Sequence, residues 1–189
     1  MGVVTGVCVI MCYKVISQSV LANMTLKQIE QFIKTIPHKL LRDLCYYDIY
    51  RPENSCIGFY FFESPLGDKL YIGKSCSRSI TDRVGAHFDC RKGAFLNSLP
   101  RAVFNANYPH KKDAYTSQDL HKVFTVLREW NFSALFVEWT NEDYVKQLIS
   151  KIEGMLIFDL QPQNGGNCIN GTNRKYRINV NMPIKKLIP

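Results

Sequence analysis

The chain has 189 residues, room for one ordinary domain with an extension. Its 46% hydrophobic and 21% charged residues exclude wholesale disorder, collagen and coiled coil. Lys and Arg number 24 against 16 Asp and Glu, a net charge of +8, and the excess is concentrated in two places. Residues 89–112 carry Arg91, Lys92, Arg101, Lys111 and Lys112 against Asp89, and residues 170–189 carry Arg174, Lys175, Arg177, Lys185 and Lys186 with no acid. A near-neutral body with two basic segments is the footprint of a polyanion binder.

No apolar run reaches the roughly 18 uncharged residues that a spanning helix needs. Residues 2–13 come nearest; no basic residues precede them as in a secretory signal, and Gly6 stands where myristoylation needs Ser or Thr. The seven cysteines show neither CxxC pairing nor zinc spacing, so they read as small buried hydrophobes of a reducing, cytoplasmic compartment.

In chain order, residues 1–23 show no clear period. Thr25 caps a helix with Leu26, Ile29, Phe32, Ile33 and Ile36 at helical spacing, ended by Pro37, and a second helical stretch is expected at about 38–48. Residues 57–63 and 68–73 read as a hairpin around Ser64-Pro65-Leu66-Gly67, a tetrapeptide suited to a type I turn. Pairing Ser64 with Gly67 sets Tyr60 directly across from Tyr71, both on one face and flanked there by Gly58 and Gly73, which leaves room for a close approach to the backbone. A helix from about Ser79 to Arg91 buries Ile80, Val84 and Phe88, with Arg83 and His87 at i, i+4 on an adjacent face. Residues 92–116, with Pro100 and Pro109, read as a long irregular connection. A helix capped by Ser117, a strand at 133–139 and a helix capped by Asn141 and running to about Leu156 complete the series, closed by Pro162-Gln163-Asn164-Gly165-Gly166. His110 and His121 read as surface residues.

Gly58-Phe59-Tyr60 and Tyr71-Ile72-Gly73 resemble the paired signature of the GIY-YIG nuclease superfamily, with Phe59 in place of the usual Ile. Arg83 and His87 match the arginine and histidine on that family's first helix. Glu153-Gly-Met-Leu-Ile followed by Pro162-Gln163-Asn164 matches its later glutamate and asparagine. The resemblance covers residues 56–167 and implies an α+β fold, a small antiparallel sheet flanked by helices. Residues 1–55 then form an N-terminal extension, helical from about 25; residues 92–130 are an insertion, and 168–189 a basic tail.

The resemblance further implies a Mg²⁺-dependent (or Mn²⁺-dependent) endonuclease acting on double-stranded DNA, of restriction or stand-alone type. No membrane partner is expected, and a homodimer is left open; the alternatives are a binding module without catalysis on the same fold, or a repair or homing enzyme. It makes Tyr60 the general base, with Tyr71 positioning the attacking water. A phenol needs a nearby cation for that role, which Lys74 or His87 would supply. Glu153 is a carboxylate for one metal ion, Arg83 a planar fork for a phosphate, and Asn164 a neutral hydrogen-bonding group. Arg83 follows Tyr71 by about two residues more than in compact members, which keeps Arg78 as a substitute. Glu142 is explained by its place in the first turn of a helix. Lys74, Arg78, Arg91, Lys92, Lys111, Lys112, Arg174, Lys175 and Arg177 are the expected DNA contacts, Lys111 and Lys112 lying away from the catalytic residues.

Overall fold

Five strands form one mixed sheet in the computed structural model, which describes residues 11–49, 57–89, 91, 94, 98–170 and 179–187. They are β1 (Tyr13–Ser17), β2 (Lys39–Leu40), β3 (Gly58–Glu63), β4 (Leu70–Ser75) and β5 (Asn131–Glu138). The order is β1-β5-β3-β4, with β2 also pairing to β5. β3 is antiparallel to both β4 and β5, as an antiparallel sheet requires, but β1 runs parallel to β5. Two expectations change here: the sheet is mixed, and residues assigned to the N-terminal extension supply one of its edges.

The expected turn forms, with Gly67 N–H donating to Ser64 O (2.9 Å) and Gly67 at φ +67°, a conformation a glycine adopts without strain. Pairing resumes later than expected. Ser64 N–H donates to Lys69 O, and the Ser64 hydroxyl donates to Asp68 while accepting from Lys69 N–H, so two more residues enter the loop. Tyr60 therefore faces Gly73, and Tyr71 faces Phe62. The shift is even, so both tyrosines keep the same face. The room beside the glycines is also taken. A Cβ on Gly73 would lie 2.1 Å from Tyr60 Cζ, and one on Gly58 would lie 2.2 Å from Leu135 O.

Seven α-helices are present among the described residues. Helix α1 (Gln18–Asn23), α2 (Leu26–Ile33) and α7 (Glu142–Asp159) cover one face of the sheet, and α3 (Tyr46–Ile49), α4 (Ile80–His87), α5 (Ser98–Asn107) and α6 (Ser117–Leu127) the other. Thr25 and Gln28 form a capping box, Ser79 caps α4 and Asn141 caps α7, as the sequence indicates. Helix α6 is capped by Thr116 rather than Ser117, because Asp119 completes a capping box with that residue. Two elements depart further. The stretch 38–48 holds β2, a 3-10 turn at 41–43 and the short α3, since Leu40 pairs with β5 and Leu41 N–H donates to Trp130 O. Within 92–116, residues 98–107 are helical: Pro100 sits in the first turn, where a missing N–H costs nothing.

The alternating side chains of β3 feed two cores. Phe59 and Phe61 join Ile72, Leu135 and the aliphatic faces of α2 and α7. Tyr60 and Phe62 join Tyr71, Phe132 and the apolar faces of α4, α5 and α6. Phe59 and Phe62 are fully buried, each contributing about 1.5–3 kcal/mol relative to exposure. The tail belongs to the same body, since Ile184 is buried in the first core.

Candidate active site

The β4 edge of the sheet opens into a cleft of about 670 Å³. Two helices wall it, each with a stripe at i, i+3, i+4, i+7: Ser98, Arg101, Ala102 and Asn105 from α5, and Ser150, Glu153, Gly154 and Ile157 from α7. Ala102 and Gly154 are small, which keeps space between the walls. Tyr71 and Lys74 of β4 line the cleft between them, with Lys112, Asp113, Ile169 and Asn170 completing it.

Lys74 and Glu153 form an ion pair across the cleft at 2.7 Å, with the Glu153 side chain 18% exposed. Among the described residues, no group of three or more His, Cys, Asp or Glu side chains comes together to hold a metal ion; the cleft offers two carboxylates, Glu153 from α7 and Asp113 from the loop after α5.

Behind Tyr71 lies a buried polar network. Tyr60 Oη and His87 Nε2 are 3.0 Å apart, and Tyr71 Oη and Ser98 Oγ are 2.7 Å apart. The His87 ring packs against Tyr60, Phe62 and Tyr71 with centroids 5.4–6.0 Å away. Leu99 N–H donates to His87 Nδ1 at 3.4 Å, which assigns the proton to Nε2 and makes the imidazole a donor to the phenol oxygen. His87 is thus not on an open face beside Arg83; it is buried, 3% exposed. Burial above all, with unfavourable electrostatics from the Tyr71 phenol and the Glu153 carboxylate, pushes the Tyr60 phenol well above its ordinary value. The cation that opposes this is Arg83, and the net shift is opposite to the one expected from a neighbouring Lys74 or His87. Burial likewise pushes Tyr71 up to about 12, against the hydrogen bond with Ser98.

Arg83 Nε is buried without a hydrogen-bond partner among the described residues. Asn164 does not line the cleft: it is exposed, and its amide donates to Phe158 O at 2.6 Å. Asn170 is there instead. Its side chain accepts from Ile72 N–H (3.1 Å) and donates to Ile72 O (2.5 Å), continuing the edge of β4 as another strand would. Cys168, its thiol pushed up to about 11 by burial, donates to Asn170 Oδ1.

Among the expected DNA contacts, Arg78 is exposed with its backbone carbonyl accepting from the Ser75 hydroxyl, and exposed Arg91 is paired with Asp89. Lys111 and Lys112 are exposed, and Lys112 reaches the cleft, contrary to the expected separation. Lys92, Arg174, Lys175 and Arg177 lie outside the described residues. His110 and His121 are exposed, as expected. Ser98, Arg101 and Asn170 have no counterpart in the sequence motifs; the α5 stripe was the signal, hidden by a proline that reads as a loop. Among the described residues, no helix is long and apolar enough to cross a membrane.

No family model, curated protein or solved structure matches this chain.

Proposed function

We propose that the protein is a metal-dependent endonuclease of GIY-YIG type that hydrolyses phosphodiester bonds in double-stranded DNA. The observation that carries this reading is the cleft itself: it brings Tyr71 and Lys74 from the hairpin together with Glu153 from α7, in front of the Tyr60–His87 pair. A sequence-specific, restriction-type enzyme is the form of this activity we favour, because the basic segment 89–112 lies inside the catalytic unit and Lys112 borders the cleft.

In this reading Arg83 holds phosphate oxygens with its fork, and its charge, which already lowers the Tyr60 phenol against the effect of burial, favours the phenolate. Tyr60, once ionised beside Arg83 against the effect of burial, takes the proton of the attacking water on its phenolate oxygen, which His87 Nε2–H steadies. Tyr71, held by Ser98, positions that water. Glu153 is the residue that would hold Mg²⁺ or Mn²⁺, a single-carboxylate oxygen site of the kind Mg²⁺ accepts. The ion would supply charge stabilisation on the phosphoryl oxygens.

A second reading, a DNA-binding module without catalysis, is favoured by one observation: Lys74 already neutralises Glu153. Plasmid incubated with the full chain, with and without Mg²⁺, separates the two. Metal-dependent cutting is expected, and Glu153→Ala should lower its rate about a hundred- to a thousandfold with DNA binding retained. Binding with no cutting at any Mg²⁺ concentration would establish the second reading.

A further inference from the structure

We infer that Arg101 is a second phosphate-binding residue of the cleft, one that takes a phosphodiester group of the cut strand opposite Glu153. The inference rests on the nuclease reading and extends it to helix α5, which no motif of the resemblance covers.

Three observations carry it. Arg101 lines the cleft on the wall facing Glu153, yet the ion-pair partner of Glu153 is Lys74. Its Nε is buried with no hydrogen-bond partner among the described residues. A buried N–H without an acceptor destabilises the fold, and an incoming anion removes that cost while using the guanidinium fork. Finally, α5 is held rigidly where this requires. Ser98, one turn before Arg101, bonds to Tyr71, and Leu99 N–H reaches His87. One turn after Arg101, Asn105 clamps Asp113: its Oδ1 accepts from Asp113 N–H and its Nδ2 donates to Asp113 Oδ1, both at 2.9 Å. That clamp holds Asp113 at φ +60°, a left-handed conformation unfavourable for a non-glycine residue, and it sets the adjacent Lys112 at the cleft. Asp113 is the acid on this wall, and its carboxylate is engaged by Asn105. With two cations, Arg101 and Lys112, against that one acid, the wall is net positive toward a polyanion.

The test compares wild type, Arg101→Met and Arg101→Lys as full chains, with melting curves to confirm folding. Duplex binding is followed against salt in EDTA, and plasmid cutting is measured with Mg²⁺. Arg101→Met should lower kcat/KM about ten- to a hundredfold and flatten the log–log salt dependence of binding by about one unit. Arg101→Lys should keep the slope yet lose at least fivefold in kcat/KM, because a point charge cannot reproduce the fork. If Arg101→Met fails to fold, the lysine variant decides, since it keeps the charge and the stem. Wild-type kcat/KM in the lysine variant, or wild-type slope and rate in the methionine variant, overturns the role of Arg101 while leaving the nuclease reading in place. A wild-type protein that neither binds nor cuts DNA overturns both.

Discussion

On β3, Phe59 and Phe61 enter a layer of aliphatic side chains from α2 and α7, while Tyr60 and Phe62, on the opposite face, enter a layer threaded by hydrogen bonds. The first face is held by apolar contact. On the second, two tyrosines and a histidine are buried, Tyr60 bonded to His87 and Tyr71 to the half-buried Ser98 hydroxyl. Buried polar groups of this kind stay in place only when partnered, so the second face gives up some packing freedom for a fixed orientation of its phenols. One strand thus serves two purposes through the alternation of its side chains, and the two faces meet only at the β4 edge, where Lys74 and Glu153 from the first face join Tyr71 from the second at the cleft.

Substitutions that treat the faces separately put this division to the test. Phe59→Ala should have the largest effect on stability, about 3–5 kcal/mol in denaturant unfolding, with the cutting rate per folded molecule preserved. A selective loss of activity would mean the faces are coupled. Tyr60→Phe, one residue on, should cost only about 1–2 kcal/mol while reducing cutting about a hundredfold, because it removes one hydroxyl and its bond to His87. Equal losses in stability and rate would make Tyr60 a packing residue.

The smallest effect is a pH dependence at the margin of the apolar face. Glu30 is pushed up to about 7 by burial, by a hydrogen bond to Asp159 and by that residue's charge. Its folded-state value lies above the unfolded one, so its stabilisation is fully present below about pH 4.5 and is lost as pH rises through 7. Glu30→Gln should therefore match wild type in melting temperature near pH 4.5 and exceed it at pH 8. The difference should stay under about 1 kcal/mol, since Glu30 is partly exposed. A wild-type melting temperature that does not fall across this range would remove the carboxyl pair from consideration.

The elements legible in the sequence are those whose signals are local. Thr25, Ser79 and Asn141 announce helix starts because a cap acts within four residues, and Ser64-Pro65-Leu66-Gly67 announces its turn for the same reason. The pairing beyond that turn lies two residues further along than the turn alone predicts, because the side chain of Ser64 and the two residues after Gly67 extend the loop. Leu40, Leu41, Leu44 and Cys45 have helical spacing, yet contact with β5 and Trp130 overrides it. Tyr60, Tyr71, Arg83, His87 and Glu153 were named from motifs, and the fold gathers Tyr71 and Glu153 at the cleft and Tyr60 and His87 behind it. Arg101 and Asn170 were beyond reach, because a single helical stripe or a side chain imitating a strand is visible only once its neighbours are placed.

The parallel pairing of β1 with β5 sets a schedule on the ribosome. Tyr13 lies beside Ala134, so about 120 residues must be synthesised before β1 meets its neighbour. At about 5–20 residues per second that is a wait of roughly 6–24 s, during which the β3–β4 hairpin can close and the earlier-made β1 cannot. Of the five described strands, the one translated earliest docks among the latest, and until then the nascent chain carries an unpaired Tyr-Lys-Val-Ile-Ser segment of the kind that chaperones shield.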